Sequence, residues 1–205
     1  MSLDTTRIAL PCFDGFMELD SFTLLGLLNQ LRAQGFRAEL CGPTHAATSM
    51  NGVTVQLGRP LEWANEAEVV LFGAGLYSRA IAENAALLDR LQLDPTRQLL
   101  GAQGPGVLLL ARLGLLGEQP ACTDATSKPW VVEAGVRVLD EEPFHAQGPV
   151  ATAGGALAAP YLATWVMWRR AGEAAACAAL QELAPVGEKP DHVRQLMERV
   201  RPFVV

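Results

Sequence analysis

Apolar residues in this chain arrive in short continuous runs bounded by glycine turns, and between the runs the spacing changes to that of a helix. Arg7-Ile8-Ala9-Leu10-Pro11-Cys12-Phe13 reads as a first strand ending at Asp14-Gly15. From Asp20 to Gln34, residues Leu24, Leu25, Leu28 and Leu31 recur at helical spacing, and Gly35 supplies a stop. Phe36 to Cys41 reads as a second strand closed by Gly42-Pro43, and a short strand is predicted at Val53-Thr54-Val55. Val69-Val70-Leu71-Phe72 is a third buried strand, followed by Gly73-Ala74-Gly75. Ser78 is expected to cap a helix that carries Ile81, Ala85 and Leu88 on one face. Gln98 to Gln103 is the fourth strand and Pro105 to Arg112 its helix, stopped at Gly114. Further on, short strands are predicted at Trp130-Val131-Val132, Val136-Arg137-Val138 and Val150-Ala151-Thr152. Helices follow from about Pro160 to Ala171, Glu173 to Leu183 and Asp191 to Val200.

Continuous apolar strands alternating with helices predict an α/β fold, a mostly parallel sheet covered on both faces. With 205 residues and no break in composition, residues 1–205 are expected to form a single domain. Ligands of such sheets bind at the carboxyl ends of the strands, near a topological switch point. That rule brings together three turns: Asp14 to Asp20, Gly73 to Gly75, and Gln103 to Gly106.

Composition narrows the partners. Half of the residues are apolar, which supports a large core, and the net charge of −6 argues against a nucleic-acid surface. The apolar stretch from Gly154 to Trp168 is interrupted by Pro160, Tyr161 and Thr164 and falls short of the ~20 residues of a membrane span. Four cysteines (Cys12, Cys41, Cys122, Cys177) lie far apart without CxxC spacing, as expected of reduced thiols in a cytoplasmic protein. His45, His145 and His192 show no ligand spacing and are expected in loops or on the surface, so no metal site and no cofactor is predicted. Trp165 and Trp168, next to Tyr161, are expected to form a packing surface or a dimer contact.

The chemistry concentrates in Leu99-Leu100-Gly101-Ala102-Gln103-Gly104-Pro105-Gly106-Val107, a strand that turns sharply into a helix. Such an elbow is where many α/β enzymes hold a nucleophile, and here the position that should react is a glycine. Gly104-Pro105-Gly106 lacks the spacing of a dinucleotide fingerprint and the lysine of a P-loop. A general anion site at the helix N-terminus is the weaker form of that idea, opposed by the charges of Asp20 and Asp124.

In this order, these turns resemble the ThiJ/PfpI family of the class I glutamine amidotransferase-like superfamily. The likeness runs from Arg7 to about Gly172. It rests on Phe13-Asp14-Gly15-Phe16-Met17-Glu18-Leu19-Asp20, the Gly73-Ala74-Gly75 turn, Ala102-Gln103-Gly104-Pro105-Gly106, Ala121-Cys122-Thr123-Asp124 and Val150-Ala151-Thr152-Ala153-Gly154-Gly155. The resemblance implies a flavodoxin-like sandwich and a homodimer. It also implies an elbow cysteine, an acid five residues after the first-turn glycine, and often a histidine after the next strand. By position the acid is Asp20, the cysteine position is Gly104, and the histidine position is Asp124. Gly104 cannot form a covalent intermediate. Pro105 suits a first helical position but lacks an N–H that an oxyanion site would use together with Gly75.

Two functional expectations follow. One is a ThiJ/PfpI-like protein without the family's cysteine chemistry, binding a small carbonyl- or carboxylate-bearing metabolite or a partner through Gly75, Gln103, Pro105 and Gly106. The other is a hydratase or amidohydrolase that uses Asp20 as general acid/base on water; a normal cysteine-dependent enzyme follows if Gly104 replaces a native cysteine. Against a catalytic Asp20 stands an N-terminal cap, with Ser21 as a neighbouring capper. For Asp124 the alternative is a loop residue accepting local backbone N–H bonds. Cys12 and Cys122 are the thiols near strand ends, either displaced nucleophiles or inert core residues.

Overall fold

The computed structural model describes residues 5–204. Strand β1 (Thr6–Pro11) leads through a turn into helix α1 (Glu18–Leu28), which tightens into a 3-10 segment at Asn29–Gln34. Gly35 ends it with φ +92°. Strand β2 (Phe36–Gly42) follows, then a small hairpin of β3 (Ala46–Thr48) and β4 (Thr54–Gln56), a two-residue edge strand β5 (Arg59–Pro60), and the fully buried β6 (Val69–Phe72). Helices α2 (Ser78–Glu83) and α3 (Ala85–Leu88) precede β7 (Leu99–Gln103). After the elbow come α4 (Val107–Arg112), α5 (Lys128–Glu133), strands β8 (Phe144–Gln147) and β9 (Val150–Ala153), and helices α6 (Ala159–Ala171), α7 (Glu173–Leu183) and α8 (Lys189–Val200).

Among the described residues the main sheet has seven strands in the order β5-β2-β1-β6-β7-β9-β8, parallel except for the β8/β9 pair. Side chains alternate across it. Ile8, Leu10, Val69 and Leu71 enter a core with α1, α6, α7 and α8, whereas Ala9, Val70, Phe72 and Leu100 enter a second core with α2 to α5. The chain moves from β1 outward to β2 and then returns to β6 on the other side of β1. The switch point therefore lies between the carboxyl ends of β1 and β6.

Several expectations change. Trp130-Val131-Val132 is helical, not a strand: Asp124 Oδ1 accepts the N–H groups of Thr126 and Ser127, each at 2.9 Å, which starts the turn that α5 continues with Pro129 in its first turn. Val136-Arg137-Val138 forms no strand; Val138 makes only an isolated bridge with Ala121. Ser78 does not cap but opens α2, its hydroxyl donating to Gly75 O at 2.9 Å. The single helix expected there is broken at Asn84, whose side chain accepts the Leu87 N–H. Strand β8 was not anticipated, and it places His145 in the sheet rather than in a loop. Of the expected packing surface, Trp165 lies in the core: it is fully buried and donates its indole N–H to Phe203 O at 3.2 Å.

Candidate active site

The first turn is tied to the β6 turn by backbone. Phe16 and Gly75 form an antiparallel bridge through Met17 N–H to Ala74 O and Leu76 N–H to Gly15 O, both 2.9 Å. Gly75 is the non-hydrogen-bonded member of that bridge, so neither of these bonds uses its N–H. The β3/β4 hairpin joins the same cluster. Gly15 N–H donates to Thr48 O at 2.7 Å, and Met50 N–H to Phe16 O at 2.9 Å. Glu18 accepts from the Ser49 hydroxyl and from Asn51 Nδ2 at 2.9 Å, and the Ser49 bond holds its carboxyl below the usual range. Glu18 is thus a tie between helix and hairpin.

Asp20 lies within α1 and is fully buried. Its Oδ2 accepts the Ala74 N–H at 2.7 Å and its Oδ1 accepts from Ser21 Oγ at 3.1 Å. The cap of α1 falls on Met17, so Asp20 holds the β6 turn instead of its own helix. Burial pushes its carboxyl up to about 6, and the Ala74 and Ser21 bonds pull partly against that rise.

Beside this turn stands the elbow. Gly104 adopts φ +51°, and a Cβ placed on it would meet Asp124 Oδ2 at 2.9 Å and Ala74 Cβ at 3.5 Å. Gly106 packs directly on β6, where a Cβ would stand 2.5 Å from Gly73 O and 2.9 Å from Phe72 O. Only a glycine permits that approach. Thr123 Oγ1 donates to Gly104 O at 2.7 Å, joining the elbow to the loop that carries Asp124.

A cavity of about 360 Å³ opens over the elbow, at the small end of the range for ligand sites. Gly75, Gln103, Gly104, Pro105 and Asp124 line it, together with Met17, Met50, Leu76 and Trp130, which the sequence did not single out. Asp20 and Gly106 are not in its wall, nor is any of the cysteines. Gln103 is fully buried; its Nε2 donates to Gly155 O at 2.8 Å and Ala156 O at 3.0 Å, and its Oε1 has no partner. Asp124 uses Oδ1 on two backbone N–H groups and accepts from Ser127 Oγ on Oδ2 at 2.8 Å. It accepts local backbone bonds and borders the elbow at once.

No thiol lines this cavity. Burial pushes Cys12, Cys41 and Cys122 each up to about 12, far from thiolate formation near neutrality. Among the described residues no group of three His, Cys, Asp or Glu side chains could hold a metal ion, and no helix is long and apolar enough to cross a membrane.

The fold of this chain has solved counterparts. Over 87% of this chain, Drosophila melanogaster DJ-1beta superposes with a TM-score of 0.77 at 18% identity, using 97% of its own length. Over 97% of this chain, a ThiJ/PfpI family protein from Pseudomonas syringae matches at TM-score 0.77 and 15% identity, with 89% of its length covered. Schizosaccharomyces pombe DJ-1 matches at 0.74 and 13% identity, over 87% of this chain and 99% of its own. The chain has the DJ-1/ThiJ/PfpI fold. No family model and no curated protein sequence matches it. At these identities the DJ-1/ThiJ/PfpI likeness is one of architecture, and the chemistry has to be argued from the residues themselves.

Proposed function

We propose that this chain is a DJ-1/ThiJ/PfpI-fold protein that binds a small molecule over its elbow without a covalent step. The observation that carries the reading is the pairing of a formed cavity with a reactive position that has no side chain. The elbow, the β6 turn and the hairpin together wall a space of about 360 Å³, and no thiol lines it. A nucleophile must reach the reacting atom, and the buried cysteines do not.

The alternative of Asp20 as general acid/base is disfavoured by geometry. A carboxyl with pKa about 6 suits proton transfer in principle, but this one is enclosed and bonded to Ala74 and Ser21. It holds the turn that shapes the cavity and does not face it.

The homodimer remains part of the reading. Leu19, Phe22, Met50, Val53, Leu76 and Tyr77 are exposed around the first turn, and the Phe22 ring packs edge to face on the buried Phe16, with 5.9 Å between centroids. An apolar surface of this kind suits a second copy of the chain. Sedimentation equilibrium reads the state directly, and a monomer at high micromolar concentration removes the dimer from the proposal.

The binding reading is tested by a thermal-shift screen of a metabolite library against the full chain and against Ala156→Trp, which fills the cavity. A ligand at about 100 times its dissociation constant stabilises by roughly 2.7 kcal/mol. Hits that vanish in Ala156→Trp support the reading; a silent screen, or hits that persist in the plugged variant, overturn it.

A further inference from the structure

We infer that the cavity over the elbow takes a small organic cation, an amidinium or ammonium head on an apolar body; this rests on the binding reading above and names its ligand class. Two acceptors flank Gly104. The first is Gln103 Oε1, buried and without a partner. The amide orientation is fixed, because exchanging its oxygen and nitrogen would set Oε1 against the carbonyls of Gly155 and Ala156. A buried carbonyl oxygen left unpaired is unfavourable, so a donor that reaches it from the edge of the cavity is favoured.

The second acceptor is Asp124 Oδ2, at the point where a side chain on residue 104 would begin. It accepts one hydrogen bond, from Ser127 Oγ, and a carboxylate oxygen has capacity for more. The cavity wall offers no Lys or Arg to oppose that charge, and Pro105 has no N–H to offer an anion. Arg79 approaches Trp130, its guanidinium 5.8 Å from the ring centroid, but is engaged by Glu83 at 3.2 Å and Glu133 at 3.4 Å. A carboxylate ligand would meet two acceptors and no donor side chain with positive charge. A cation with N–H donors satisfies both, while Met17, Met50, Leu76 and Trp130 cover its body.

Benzamidine, benzamide and benzoate share one shape and differ in charge and donors, so titration calorimetry of the three on the full chain at pH 7.5 and low salt isolates the point. The expected order is benzamidine, then benzamide, then benzoate, with at least about tenfold between the first and the last. Asp124→Asn, which keeps an oxygen for the Thr126 and Ser127 N–H groups, brings benzamidine down to the benzamide level. Gln103→Leu weakens both N–H donors; should that variant fold poorly, the distance from Gln103 Oε1 to a ligand nitrogen in a benzamidine-soaked crystal takes its place, with contact expected. Benzoate equal to or tighter than benzamidine overturns the inference, as does benzamidine unbound at millimolar concentration, or binding unchanged in Asp124→Asn. A library ligand blocked by Ala156→Trp alongside a benzoate preference would leave the binding reading standing and remove this one.

Discussion

Asp124 Oδ2 lies 2.9 Å from the point at which a side chain on Gly104 would begin. The elbow is therefore occupied from the side: the space a nucleophile would use is bordered by a carboxylate anchored on the α5 turn. Gly104 contributes through its backbone alone, at a φ of +51° that other residues tolerate poorly.

Placing a thiol at this position is accordingly expected to fail as chemistry. Gly104→Cys combines left-handed backbone with crowding against Asp124 and is expected to cost about 1–2 kcal/mol in urea unfolding. Its thiol, next to a carboxylate, should titrate above the ~8.5 of a free cysteine and react slowly with iodoacetamide at pH 7. Adding Asp124→Asn should lower that pKa. A thiol in the single variant that titrates well below the free value would mean that the site stabilises a thiolate after all.

Asp20 predicts a pH dependence of stability with a definite sign. Its folded pKa of about 6 lies above the ~3.9 of an unfolded aspartate, so between those values the folded state holds more protons. The stabilisation associated with Asp20 is fully present below about pH 4 and is lost as the pH rises through 6. Asp20→Asn, which still accepts the Ala74 N–H, removes this component. The difference in unfolding free energy between wild type and variant should therefore shift by up to about 3 kcal/mol from pH 4 to pH 7.5, in the direction that favours the variant at high pH. A difference that stays flat across that range would mean Asp20 is ordinary in its ionisation.

Much of this architecture was legible from the chain, and the failures have physical causes. Val69–Phe72 matched the sequence reading because a strand buried on both faces must be continuously apolar, and Gly35 and Gly114 marked helix ends that need positive φ. Trp130-Val131-Val132 was misread because β-prone side chains outweighed the local signal, an Asp124-x-x-Ser127 turn followed by proline. Strand β8 alternates Phe144 and Ala146 inward with His145 and Gln147 outward, but over only four residues, too short a run to stand out in the chain, and it is held by pairing with β9. At the site, the glycine turns and Gln103 were visible as a pattern, but the unpartnered oxygen depends on carbonyls some 50 positions away. Met50 and Trp130 reach the cavity from segments whose placement only the tertiary structure supplies.

Two glycines separate close approach from mere flexibility. At Gly106 a Cβ would press on the carbonyls of Gly73 and Phe72, backbone atoms that cannot swing aside, so Gly106→Ala is expected to destabilise by about 1–3 kcal/mol and distort the cavity wall. Gly26 sits exposed on α1 with nothing within 4 Å of its would-be Cβ. Gly26→Ala should stabilise by about 0.5–1 kcal/mol through helix propensity alone. Equal effects in urea denaturation at the two positions would contradict the packing of the elbow on the β6 turn.

Glu18 is expected to control the cavity mouth from a distance. Its carboxylate holds Ser49 and Asn51, and the turn they belong to carries Met50 into the wall. Hydrogen exchange on Glu18→Ala should show faster exchange of the amides at positions 51 and 53, whose N–H groups donate to Ser49 Oγ at 3.3 and 2.9 Å, while the amides of β6 and β7 remain as protected as in wild type. Glu18→Gln, which keeps one acceptor and a donor, should fall between the two. Because Met50 covers the ligand body in the proposed complex, benzamidine affinity should fall in the same order as the protection of this turn. Protection unchanged in Glu18→Ala would show that the backbone bonds from Gly15 to Thr48 and from Met50 to Phe16 hold the hairpin without the carboxylate.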